Sequence, residues 1–182
     1  MIAYKATYNY ECISKTYEIG QEYKLDKKPI LCKYGFHYCK NAKDTLNYYP
    51  LKSDFKLLEI EDLNPNDTIT DYDKSCSNHI KIIREITDPE ELFSLLGKQY
   101  TYNENGKILT SKNSDGYSYE CTYDESGNEL TYKSSNNFSY EKTYDENGNG
   151  LTYKDSSGFS CEYTYDEFGY ELTYKDSFGF SN

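Results

Sequence analysis

Both histidines of this chain stand beside cysteines, His37 in Cys32-x4-His37-x-Cys39 and His79 in Cys76-x2-His79. Thiolate and imidazole are ligands that tetrahedral zinc favours, and on a strand His37 and Cys39 would share one face. Cys32, His37, Cys39, Cys76 and His79 form the zinc set that the sequence offers. Their spacing is that of neither a zinc finger nor a ribbon, and cysteine is equally a small core residue, so no metal is expected. The chain has no phosphate-binding Gly-x-x-x-x-Gly-Lys loop, no Gly-x-Gly-x-x-Gly, no Gly-x-Ser-x-Gly elbow and no His-Glu-x-x-His. With two histidines, a conventional acid–base triad would have to use one of them. Nothing in these residues calls for a cofactor, and none is expected.

A second constellation is repetitive. Leu130-Thr131-Tyr132-Lys133 returns as Leu151-Thr152-Tyr153-Lys154 and Leu172-Thr173-Tyr174-Lys175, and Tyr123-Asp124-Glu125 returns as Tyr144-Asp145-Glu146 and Tyr165-Asp166-Glu167. Four near-copies of a 21-residue unit therefore open at Leu109, Leu130, Leu151 and Leu172. Residues 99–182 hold 13 of the 23 tyrosines and no tryptophan. Tyrosine joins a large ring to a hydroxyl that needs a partner, which suits it to cross-strand pairs and equally to interfaces. A partner surface would use Tyr119, Tyr123, Tyr140, Tyr144 and Tyr165 as ring anchors, with Asp124, Asp145 and Asp166 meeting basic groups.

Short antiparallel strands would have to position these rings. Each unit carries two turn signals, around Asp145-Glu146-Asn147-Gly148 and around Ser156-Ser157-Gly158, where glycine or asparagine supplies the backbone that a tight hairpin demands. In the second strand of the unit Phe138, Tyr140, Lys142 and Tyr144 share one parity and Ser139, Glu141, Thr143 and Asp145 the other, the alternation of a sheet with one apolar and one wet face. Lys142 breaks the apolar side and is expected near a sheet edge. The Tyr-Asp-Glu-Asn-Gly-Asn of residues 144–149 followed by Leu-Thr-Tyr resembles the YD-type repeats of the large bacterial Rhs-like shell proteins, over residues 99–182. The resemblance implies hairpin geometry; four copies are too few to close a chamber. The chain stops partway into a unit, so an edge strand is expected there that could pair with another copy.

Residues 1–87 show no period and read as an α+β domain, with strands expected at 2–7, 17–19, 22–25, 55–60 and 79–86. Asn41 is placed to cap a helix through Ala42, Leu46 and Tyr49 that Pro50 stops. Asp88-Pro89-Glu90-Glu91 reads as a capping box opening a helix whose buried side is Leu92, Phe93, Leu95 and Leu96, and which Gly97 ends. This helix, residues 88–98, is expected to link the halves and to cap the first edge of the repeat sheet. The whole is thus an α+β domain, a linker helix, and an all-β array of antiparallel hairpins over 99–182.

The first half, through Tyr17-Glu18-Ile19-Gly20, Cys32-Lys33-Tyr34-Gly35-Phe36-His37-Tyr38-Cys39, Tyr48-Tyr49-Pro50 and Lys81-Ile82-Ile83-Arg84-Glu85-Ile86, resembles a domain of bacteriophage and prophage proteins that brings no established activity with it. The resemblance implies a mobile-element origin, a setting in which small acidic proteins inhibit host defences such as CRISPR effectors by occupying a binding surface. The half is also similar, more distantly, to the ADP-ribosyltransferase architecture, on which Lys5, the Gly35-Phe36-His37 turn and Glu85 would surround NAD. Lysine there lacks the guanidinium fork that grips a pyrophosphate.

Charge narrows the partners. The net charge is −11, divided as −2 over residues 1–98 and −9 over 99–182. Such an array repels phosphate, so no direct nucleic-acid binding is expected; it suits a basic surface on a host protein, such as one that normally handles nucleic acid. Exposed tyrosines stacking on sugar rings would make the array a glycan-binding module instead. No apolar run is long enough to span a bilayer and the first residues do not read as a signal peptide, so a cytoplasmic protein with no membrane partner and six reduced cysteines is expected.

Overall fold

The computed structural model describes residues 1–12 and 15–181. The chain divides into two compact units, Met1–Gln99 and Tyr100–Asn182. The first is α+β and the second an array of antiparallel hairpins with the 21-residue period.

In the first unit the strands are β1 (Ile2–Tyr8), β2 (Glu11–Cys12), β3 (Lys15–Thr16), β4 (Glu22–Lys24), β5 (Phe36–Tyr38), β6 (Phe55–Asp62), β7 (Ile69–Asp71), β8 (Lys74–Ser77) and β9 (His79–Ile86). One sheet runs β3-β2-β1-β6-β9-β4 and a smaller one β5-β8-β7. The central strands are buried on both faces, and their residues divide accordingly. Ala3, Leu58, Ile60, Ile80 and Ile82 face one side and meet Tyr17, Phe36 and Tyr38. Leu57 and Ile86 face the other and meet Ala42 and Leu96.

Several expectations shift. Residues 17–19 form no strand: β3 ends at Thr16, and Tyr17 buries its ring in the core while its N–H bonds Tyr10 O at 2.9 Å. The segment after Asn41 is a 3-10 helix, Ala42–Asn47, and the Asn41 side chain donates to Asp44 Oδ2 at 2.9 Å instead of capping a backbone N–H. Helix α1 (Pro89–Leu96) keeps the Asp88 cap, with Oδ2 accepting from Glu91 N at 2.8 Å and Gly97 ending it in the left-handed region. The reciprocal half of the capping box does not form, since the Glu91 carboxylate takes both Arg84 nitrogens. Leu92, Leu95 and Leu96 of α1 pack on Ala42, Leu57 and Ile86 within the first unit.

The second sheet runs in chain order, β10 (Lys98–Tyr102), β11 (Ile108–Asn113), β12 (Ser118–Tyr123), β13 (Glu129–Ser134), β14 (Ser139–Tyr144), β15 (Gly150–Asp155), β16 (Ser160–Tyr165) and β17 (Glu171–Asp176). Its register repeats, Cys121 opposite Tyr132, Lys142 opposite Tyr153 and Tyr163 opposite Tyr174, with a bulge between threonine and tyrosine at residues 122/123, 143/144 and 164/165. No helix or second sheet belongs to this unit among the described residues, so it is a single layer.

Candidate functional site

The two faces of that layer differ. On one, threonines pair at 2.7 Å as Thr101–Thr110, Thr122–Thr131, Thr143–Thr152 and Thr164–Thr173. Beside them Glu120, Glu141 and Glu162 stand in register with Lys133, Lys154 and Lys175. This face is therefore close to charge-balanced. The array's excess of acid lies elsewhere, largely in the turns.

The other face carries the rings. Tyr119 and Tyr132 stack with centroids 5.2 Å apart, Tyr132 and Tyr140 at 5.2 Å with planes 8° apart, and Tyr140 and Tyr153 at 5.5 Å. A continuous row thus crosses β12 to β15, each ring half-buried by its neighbours. Such pairs contribute about 0.5–1.5 kcal/mol each beyond area burial. Tyr119, Cys121, Tyr123, Glu129, Tyr132 and Tyr140 line a groove of about 420 Å³ on this face. Glu129 is its carboxylate: Tyr140 OH donates to Glu129 Oε1, and Lys142 Nζ lies 3.4 Å from the same oxygen and 4.5 Å from the Tyr140 ring centroid. Lys142 therefore sits on an interior strand, held by a carboxylate and a ring, and not at the edge expected for it. Burial and then the Glu129 carboxylate push the Tyr140 phenol up.

Of the sequence-derived contact residues, Tyr119 and Tyr140 belong to the row. Tyr123 and Tyr144 are staples: Tyr123 OH donates to Ile108 O and Tyr144 OH to Glu129 O, each at 3.0 Å, joining one hairpin to the next. Tyr165 stacks on Tyr163 at 6.4 Å. The three aspartates build turns. Asp124 Oδ1 accepts from Asn128 N at 2.8 Å, Asp145 Oδ1 from Asn149 N at 2.8 Å, and Asp166 Oδ1 from Tyr170 N at 2.8 Å. Tyr132 and Tyr153 were missed. Their signal was the Leu-Thr-Tyr-Lys quartet, whose tyrosine shares the parity of the leucine in the three units that open at Leu130, Leu151 and Leu172.

In the first unit Lys5 and His37 line one cavity of about 260 Å³ with Tyr4, Cys12, Tyr48 and Tyr49. Glu85 is not in its lining. Lys5 pairs with Leu58 and Leu58 with Glu85, so Glu85 lies two strands from Lys5, roughly 9–10 Å by strand spacing. It is engaged there by Lys56 at 3.1 Å and by the Tyr10 hydroxyl. Lys5 and His37 are brought together; the third member of the NAD arrangement is not.

The zinc set is not gathered either. His37 Nε2 accepts from Cys32 N at 2.9 Å, His79 Nε2 faces Glu22 at 3.5 Å, and no group of three or more His, Cys, Asp or Glu able to hold a metal occurs among the described residues. Burial first, and then the neighbouring Lys5 and Lys74 ammonium groups, keep His37 below the ordinary imidazole range. No helix among the described residues is long and apolar enough to cross a membrane.

Residues 1–94 match the family model described as a domain of unknown function, DUF7666. No curated protein matches the chain. Among solved structures, the TcdB2-TccC3-Cdc42 crystal structure is 18% identical over 53% of this chain and 5% of its own, with a TM-score of 0.38. A Tc holotoxin pore of Photorhabdus luminescens carrying a TccC3 mutation is 14% identical over 68% of this chain and 7% of its own, with a TM-score of 0.30. The chain thus spans a small fraction of the length of either.

Proposed function

We infer, for a chain that belongs to the DUF7666 family through its first 94 residues, that the repeat unit is its contact surface and that it acts by binding a protein rather than by catalysis. The tyrosine row on a layer that has no second layer of its own unit among the described residues carries this reading. A single sheet whose apolar rings stay half-buried has area left to cover, and aromatic anchors dominate the energy of most interfaces. The groove also supplies the chemistry for a basic partner. Lys142 already shows how an ammonium sits there, against Glu129 and the Tyr140 ring, and an arginine or lysine from outside would use the same combination beside Tyr119 and Tyr132. The acid-rich turns steer such a partner to the surface.

The partner is a host protein with a Lys/Arg-lined surface, of the kind found on nucleic-acid-handling or defence machinery. Capture of lysate proteins by the immobilised full chain is the test, with Tyr132→Ser/Tyr140→Ser as the variant and circular dichroism confirming its sheet. Wild type should retain basic proteins that moderate salt releases, and the double variant should lose them. Equal capture by both, with the sheet intact, sinks the assignment.

A further inference from the structure

The cavity of the first unit is lined by a buried lysine that pairs with no carboxylate among the described residues. Lys5 is 3% exposed. Its Nζ donates to His37 O at 2.8 Å, lies 3.5 Å from Cys12 Sγ, and stands 4.8 Å from the Tyr17 ring centroid. The ion pairs among the described residues do not include it. The titratable groups facing it are the Cys12, Cys39 and Cys76 thiols, the His37 imidazole and the Tyr17 phenol, with Tyr49 behind Cys12, to whose sulfur its hydroxyl donates at 2.8 Å. None of these is a carboxylate. Lys74, which also lines the cavity, is a second ammonium, bonded to Cys32 Sγ at 3.0 Å. The nearby Asp73 is held by Asn47 Nδ2 at 2.7 Å and Tyr48 OH at 2.6 Å.

An ammonium removed from water without a compensating charge either gives up its proton or takes an anion. The remaining walls say which anion. Tyr4, Ala6, Tyr48 and Tyr49 are among the residues that line it, and the volume of about 260 Å³ lies just below the range typical of drug-sized ligands. That is room for one substituted ring and too little for a dinucleotide. We propose that this cavity binds a small aromatic carboxylate, its ring between the tyrosines and its carboxylate on Lys5 Nζ.

Binding should carry protons with it. Burial lowers the Lys5 ammonium from its ordinary range, and a carboxylate on Nζ opposes that effect by favouring the protonated form. Isothermal titration of the full chain with benzoate and with its neutral isostere benzamide, each in HEPES and in Tris at one mildly alkaline pH, tests both points. Benzoate should bind at least about tenfold more tightly than benzamide, the difference a charge-assisted hydrogen bond makes, with a heat that changes between buffers by proton uptake. Lys5→Met should abolish the preference. If that variant does not fold, the benzoate and benzamide comparison on wild type decides alone. Benzamide binding as tightly as benzoate, or no benzoate binding at millimolar concentration, overturns the proposal.

Discussion

Leu58 and Tyr132 both occupy the middle of a strand on its apolar side, yet Leu58 is 0% exposed and Tyr132 only half-buried. Leu58 has layers on top of it, with Phe36, Tyr38 and Tyr17 closing over the central strands. Tyr132 has its neighbours within the sheet, the rings of Tyr119, Tyr140 and Phe138 and the Tyr117 hydroxyl. The first unit therefore draws its stability from enclosed volume and the second from contact between neighbouring strands. A repeat built this way has little hidden interior and a broad face of half-buried rings, whereas the first unit has a closed core beside a half-open cavity.

The sharpest way to break this comparison is to remove the same kind of group from each. Leu58→Ala leaves a void in a closed core and should cost about 2–5 kcal/mol. Tyr132→Ala removes a ring whose outer side has no second layer in its own unit and should cost about 1–2 kcal/mol, mostly lost stacking. Hydrogen exchange on the full chain, read by peptide, reports both. The first substitution should loosen strands throughout Met1–Gln99, the second only the hairpins flanking β13. Equal and chain-wide effects would show one shared core.

A smaller effect separates the units by pH. Asp62 is 2% exposed, and although burial alone would raise its carboxyl, hydrogen bonds from Thr68, Tyr38, Ser77 and Asn64 N outweigh that and hold it below the ordinary range. A folded-state value below the unfolded one contributes stability that is full above the unfolded value and is lost as pH falls through the folded one. The first unit should thus weaken below about pH 4. Asp62→Asn should flatten that decline while lowering stability at neutral pH. A decline of unchanged size in the variant would assign the acid sensitivity to other groups.

Most of the array was legible because its geometry is local. Turn residues and alternation at a fixed period set the strands, and the place of Lys142 on the ring face is settled by Glu129 on the neighbouring strand, which parity cannot reveal. The roles of the tyrosines were less legible. Tyr123 and Tyr140 look alike in sequence, but the bulge between Thr122 and Tyr123 accompanies a hydroxyl bonded to a backbone oxygen 15 residues back, while Tyr140 stays in the row. In the first unit the strands β1, β6 and β9 followed from apolar runs, while their pairing came from the structure. The small sheet did not follow from such runs, because β8 buries Ser75, Cys76 and Ser77, polar or weakly apolar residues whose burial depends on distant partners such as Asp62. The cavity was legible only in part: Lys5 and His37 were named together, but the burial of Lys5 under β5 and the tyrosines beside it depend on distant partners.

The finest test sits in the turns, where the repeat substitutes for itself. Gly116, Asn137, Gly158 and Gly179 fall at equivalent positions, and all have positive φ, +88°, +67°, +93° and +88°. A Cβ added to Gly158 would meet nothing within 4 Å, so Gly158→Ala isolates the backbone cost of a left-handed residue, about 1 kcal/mol. Asparagine tolerates that region better than other side chains, because its short amide bonds locally. At Asn137 the side-chain Asn136 oxygen already accepts from Ser134 Oγ at 2.6 Å, which helps fix the turn. Asn137→Gly should therefore change stability by less than about 0.5 kcal/mol, the relief of strain offset by a more flexible unfolded chain. Exchange rates at residues 134–139 measure the second change and those at 155–160 the first. If Gly158→Ala proves as neutral as Asn137→Gly, the turns do not set the hairpin register, and the stacked row alone must hold it.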